Sequence, residues 1–124
     1  MKQPDISFLV SFAAAWNRHD VDALMQFMTD DCVFESSFGC EPCGTRYQGM
    51  VAVRDGFSRA WAEVPDAQWL NAQHFVAGSR GVSEWLFTGT HAADGQPLAT
   101  RGCDIFTFRD GKVALKNSWR KIQI

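Results

Sequence analysis

Between Ala67 and Ile122 the chain is cut by three turn signals, and they constrain its fold more than any other feature. Gly78-Ser79-Arg80-Gly81, Asp94-Gly95 and Asp110-Gly111 have the composition of hairpin connections. They separate four long segments rich in aromatic and β-branched residues: Ala67 to Ala77, Gly81 to His91, Leu98 to Arg109 and Lys112 to Ile122. Four such segments joined by tight turns predict an antiparallel meander.

The half before them has a helical period. Phe8, Phe12, Ala15 and Trp16 share one face of a helix expected from about Asp5 to Asn17. Asp20 has the character of an N-cap for a second helix over Val21 to Met28. Cys32 to Ser36 predicts a short strand, and Ser37 to Gly49 an irregular stretch. A third helix is expected from Met50 to Glu63, with Val53, Phe57, Ala60 and Trp61 on its apolar stripe and Pro65 beyond its end. Helices followed by a meander predict an α+β domain: a cone-shaped, curved antiparallel sheet of four long strands and one short one, packed on three N-terminal helices.

At 124 residues, with no repeat or linker, the chain is expected to be one domain over 1–124. Ten Phe and five Trp exceed the ring surface that so small a core needs, which points to a lined pocket. A net charge of −2, without basic clusters, argues against nucleic acid or an anionic membrane as partner. No apolar run is long enough to span a bilayer, and Met1 to Asp5 lacks a leader-like apolar region. A cytoplasmic setting follows as the expectation, with Cys32, Cys40, Cys43 and Cys103 reduced.

Four segments carry a family likeness: Trp16-Asn17-Arg18-His19-Asp20, Thr29-Asp30-Asp31-Cys32-Val33-Phe34, Gly49 with Ala52-Val53-Arg54, and Asp104 through Val113. In this order and spacing, over essentially the whole chain, they resemble the nuclear-transport-factor-2-like superfamily, which includes ketosteroid-isomerase-like and SnoaL-like proteins. Fold alone does not carry function. The isomerases of that family imply three groups. Their tyrosine donor falls here on Phe12, and their carboxylate base on Ser36, or on Ser37 with a slip of one residue. Only the second acid matches, as Asp104. Two of three are missing, which argues against a steroid isomerase.

Asp104 lies in an apolar strand beside Ile105, Phe106 and Phe108, and a carboxylate there needs partners. It is a candidate general acid, base or ligand anchor; the plainer alternative is a buried structural carboxylate. Lys116, Ser118 and Arg120 alternate, so they share a face. That face is either solvated or, as the resemblance implies, turned to the pocket beside Asp104, where the two cations would favour the carboxylate form. The choice depends on the Asp110-Gly111 turn. A two-residue loop sets Asp104 opposite Asn117, and a loop bulged at Gly111 sets it opposite Lys116; the resemblance favours the bulge.

His74 and His91 are further catalytic candidates, since imidazole moves protons near neutral pH, although a lone histidine is commonly just hydrogen-bonded. His19, at the helix joint, has the position of a surface or capping residue. Cys40-Glu41-Pro42-Cys43 lacks the helix terminus a redox pair needs and the further ligands a zinc site needs, so it is read as incidental. Phe12, Trp16, Phe34, Ser36, Trp61, Trp85 and Phe87 are the expected lining, with Lys116, Ser118 and Arg120 as polar contacts. Glu84, Thr88 and Thr90 take the opposite parity.

The resulting expectation is an enzyme of the SnoaL-like kind: an isomerase, cyclase, dehydratase or hydrolase without cofactor or metal, acting on a small hydrophobic or carbonyl-containing molecule. The alternative is a non-catalytic binding or interaction module of the same fold. A homodimer is expected through the outer sheet face, where Leu86, Val113, Leu115 and Trp119 would form an apolar patch.

Overall fold

The computed structural model describes residues 2–124. Helix α1 spans Ile6–Asn17 and α2 Val21–Gln26. Asp5 accepts from the Phe8 amide and Asp20 from the Ala23 amide, so each helix begins on a carboxylate cap worth ~1 kcal/mol. Strand β1 follows at Met28–Glu35, then β2 at Arg46–Gln48 and α3 at Met50–Glu63. The meander is β3 (Gln68–Ala77), β4 (Arg80–Thr90), β5 (Pro97–Arg109) and β6 (Lys112–Arg120).

These strands form one curved sheet in the order β2-β1-β6-β5-β4-β3. Two expectations about the sheet's make-up need correction. There are six strands among the described residues, because Arg46–Gln48 pairs with the end of β1; Glu35 faces Arg46 there, joined by an ion pair of 2.5 Å. The sheet is also not wholly antiparallel, since β1 runs parallel to β6. The long path from β1 through α3 and the meander allows that crossover. Met28, expected to close the second helix, opens β1 instead: Phe27 already caps α2, and its carbonyl accepts from Val113 of β6.

Helices α1 and α3 cover the inner face. Phe12 of α1 meets Phe106 edge-on at 5.7 Å, and Trp16 meets Phe57 of α3 at 4.8 Å. Around Leu9, Phe12, Phe57, Phe106, Phe108 and Val113 the interior is dry and closed. Gly81 belongs to this packing, because a β-carbon there would lie 2.8 Å from the Phe108 ring.

Strand β6 changes phase partway along. Asp110 (φ 54°) and Gly111 (φ 73°) make a two-residue turn that pairs Arg109 with Lys112 and Phe108 with Val113. The next pair is Thr107 with Leu115, so Ala114 is an extra residue, a bulge. Beyond it Asp104 faces Ser118, not Asn117 or Lys116 as the sequence suggested. The bulge lies inside the strand, whereas the turn itself is regular. Val113 and Lys116, three residues apart, therefore both point inward, with exposures of 0% and 5%. Val113 belongs to the core and leaves the expected outer patch.

A candidate active site in an aromatic cavity

Past the dry zone, the two helices and the sheet separate to leave a cavity of about 300 Å³. Its walls include Trp16 of α1, Phe34 of β1, Trp69 of β3, Trp85 and Phe87 of β4, and Lys116, Ser118 and Arg120 of β6. The alternation of β4 and the shifted phase of β6 bring these side chains to one face. Gly102 lets the Trp85 indole lie against β5, since a β-carbon there would lie 2.6 Å from it.

Asp104 is 6% exposed and fully engaged. Ser118 Oγ donates to its Oδ1 at 2.5 Å, and Lys116 Nζ lies 2.9 Å from the same oxygen. Trp85 Nε1 donates to Oδ2 at 3.1 Å. Lys116 also donates to Ser118 Oγ at 2.8 Å, which closes a three-membered network. The ammonium sits 4.8 Å from the ring centres of both Trp16 and Phe34. Burial pushes the Lys116 pKa down, while the attraction of Asp104 opposes the shift. Burial lowers that of Arg120 as well, against the pull of Asp104 and Glu63.

The network is layered. Lys116, Ser118 and Trp85 line the main cavity, but Asp104 does not. It lies behind them, on a void of about 20 Å³ shared with Phe12, Ser83 and Lys116. Asp104 thus holds the groups that a ligand would meet. Arg120 stacks its guanidinium over Phe87 at 4.1 Å. With Trp85 it also borders a wider depression among Asn71, Gln73, Glu84, Arg101 and Trp119.

The remaining candidates divide. Ser36 reaches the cavity, donating to the Phe38 carbonyl and accepting from the Thr45 amide. Phe12 is core and touches only the small void. Trp61 does not line the main cavity; it stacks on His19, whose Nε2 is 2.7 Å from the Ala67 carbonyl oxygen. His74 Nδ1 is 2.7 Å from Ser83 Oγ, one strand short of Asp104, and burial lowers its pKa. His91 lies in the β4–β5 connection, its amide bonded to Gln96, and is absent from the lining. Cys40 and Cys43 are free thiols, exposed and half-buried. Among the described residues, no cluster of three or more His, Cys, Asp or Glu is placed to hold a metal.

Sequence reasoning missed Trp69, Tyr47, Arg59 and Glu63, all of which line the cavity. Trp69 faces inward like His74, despite the odd spacing, because β3 has its own bulge between Leu70 and Gln73. Tyr47 lies in β2, within the stretch expected to be irregular, and stacks on Phe34 at 5.5 Å. Arg59 and Glu63 had a visible signal, being one turn apart on α3 toward the end that carries Trp61.

A family model described as SnoaL-like domain matches residues 9–116. Among solved structures, one from Xanthomonas campestris pv. campestris, given a provisional description as a polyketide cyclase, is similar at 20% identity and a TM-score of 0.81. The match covers 92% of this chain and 87% of that one. A protein of unknown function from Mesorhizobium loti, described as NTF2-like, is 26% identical with a TM-score of 0.75, covering 97% and 98%. A hypothetical protein with a ketosteroid isomerase-like fold from Catenulispora acidiphila, in complex with trimethylamine, is 16% identical with a TM-score of 0.76, covering 99% and 88%. No curated protein matches the chain. No helix among the described residues is long and apolar enough to cross a membrane.

Proposed function

The chain belongs to the SnoaL-like domain family, and from that premise we propose that it is a cofactor-free enzyme of the isomerase, cyclase, dehydratase or hydrolase type acting on a small carbonyl-containing molecule. One observation carries the reading: a buried ammonium, Lys116, clasped by Asp104 and Ser118 on the wall of an aromatic cavity. Two of its three N–H donors are engaged, which leaves one for a ligand oxygen. As a solvent base takes the adjacent C–H proton and charge moves onto that oxygen in an enolate-like transition state, the fixed cation stabilises it more than the starting carbonyl. A lowered Lys116 pKa makes the ammonium a stronger proton donor. Asp104 is a positioning residue here, and Ser118 passes its orientation to Lys116.

The runner-up is a binding module with the same cavity, favoured because, among the described residues, the only carboxylate in the main lining is the exposed Glu63, which leaves no internal base there. Deuterium exchange of acidic C–H groups separates the two. A panel of 1,3-dicarbonyl compounds in D2O should show protein-dependent exchange that falls at least ~100-fold in Lys116→Met and Asp104→Asn, a loss of the size of one oxyanion donor. Saturable binding with exchange at the buffer rate makes the chain a binding module.

We further take the protein to be a cytoplasmic homodimer. The support is the outer sheet face, where Leu70, Phe75 and Trp119 are exposed, Trp119 by 54%. Sedimentation at micromolar concentration checks the dimer, and a stable monomer removes it.

A further inference from the structure

The hydrogen-bonding valences left open in the cavity are unbalanced. Asp104 has both oxygens occupied, by Ser118 and Lys116 on one and Trp85 on the other. The buried side-chain polar atoms without partners are donors. Arg120 Nε and Trp16 Nε1 are buried and have no hydrogen-bond partner among the described residues. Both side chains line the main cavity, and Trp16 is 6% exposed. Arg120 forms no ion pair among the described residues either. Its stacking on Phe87 uses the face of the guanidinium and leaves the in-plane N–H groups directed elsewhere.

Charge gives the same answer. The lining holds Arg59, Lys116 and Arg120 against Glu63, with Asp104 just behind, so three cations face two carboxylates. A half-buried guanidinium with no direct ion pair is costly, and one negative charge from a ligand would balance the site. A planar carboxylate meets an arginine fork through two parallel hydrogen bonds. Phe34, Trp69, Trp85 and Phe87 offer flat apolar surface for what the carboxylate is attached to.

We propose that the cavity takes an aromatic or conjugated carboxylate, with its carboxylate seated on Arg120 and a second acceptor, carbonyl or hydroxyl, reaching Trp16 Nε1. Arg120 also borders the outer depression, but its Phe87 platform lies on the main cavity, the side on which the ligand is placed. This names the substrate class for the reading above and rests on it: the anionic end anchors the molecule, and Lys116 addresses the oxygen at its reacting end.

The test is calorimetric titration of the purified protein with 2-naphthoate and with its neutral isostere, 2-naphthamide. The acid should bind about tenfold tighter, the worth of one charge-assisted pair over a neutral one. Arg120→Gln should erase that preference, and Arg120→Lys should restore part of it. Equal affinity for acid and amide in the native protein overturns the proposal, whether or not any variant folds. So does a preference that survives Arg120→Gln, or failure of the acid to bind at millimolar concentration. The readout is independent of turnover. Loss of the preference with Lys116-dependent exchange intact retires the carboxylate alone, and loss of exchange with the preference intact retires the catalysis.

Discussion

Strands β5 and β6 present two interiors along one length. Near the hairpin their inward residues are Phe106, Phe108 and Val113, packed under Leu9 and Phe12 of α1. Further along they are Asp104, Lys116, Ser118 and Arg120, beside Trp16, Phe34 and Trp85. Both zones are rich in rings and largely closed to water. The first is held by apolar burial alone, whereas the second buries charges that must answer one another. Apolar packing and the charged network thus lie at opposite ends of the same strands. The hairpin end holds the fold together, and the far end tolerates cost to keep an ammonium in place.

Breaking the dry zone should do most damage. Phe106→Ala removes a fully buried ring at the centre of the α1 contact and should cost about 3–5 kcal/mol, seen as a lower midpoint in urea with little change in slope. The charged zone should respond according to how it is changed. Asp104→Ala alone leaves Lys116 buried without its carboxylate and should cost ~3 kcal/mol. Replacing the pair together, as Asp104→Leu with Lys116→Met, should be near neutral or even stabilising by ~1 kcal/mol, while ending any exchange activity. A double variant as unstable as the Asp104→Ala protein would show that the two zones are alike after all. The smallest effect belongs to His74 at the margin between them. Its folded pKa lies below 6.5, so between that value and 6.5 the unfolded chain binds more protons and stability rises with pH. Acidification below 6.5 should therefore lower the melting temperature, and His74→Gln should flatten that slope in scans from pH 5 to 7.

The sequence disclosed these zones unevenly. Helix α3 and the hairpins were readable because periodic stripes, caps and turn residues are local signals. The pairing of β1 with β2 was not, since Arg46–Gln48 makes a strand only by meeting Glu35 and its neighbours from a distance. The alternation of Lys116, Ser118 and Arg120 was plain, and the parity favoured from the resemblance is the one found. The partner of Asp104 and the side taken by Val113 were misread for one reason. A bulge at Ala114 has no composition of its own, and it shows only in the pairing of β6 with β5 and β1. Trp69 escaped notice through the equivalent irregularity in β3. Arg120 was legible as a polar contact, but that its Nε lacks a partner emerges only from the three-dimensional environment.

The extra residue in β6 behaves like a splice in a two-toned thread. On the hairpin side odd positions such as Val113 meet the interior, and beyond the splice even positions do. Deleting Ala114 would leave every functional side chain in the gene product yet turn Lys116 and Ser118 to the opposite surface, or drag the hairpin out of register. Insertions and deletions are thus a graver threat to this strand than substitutions. The same arithmetic governs how relatives are compared: an alignment without a gap, drawn against a strand that lacks this splice, sets an interior residue beside an exterior one and transfers the wrong chemistry.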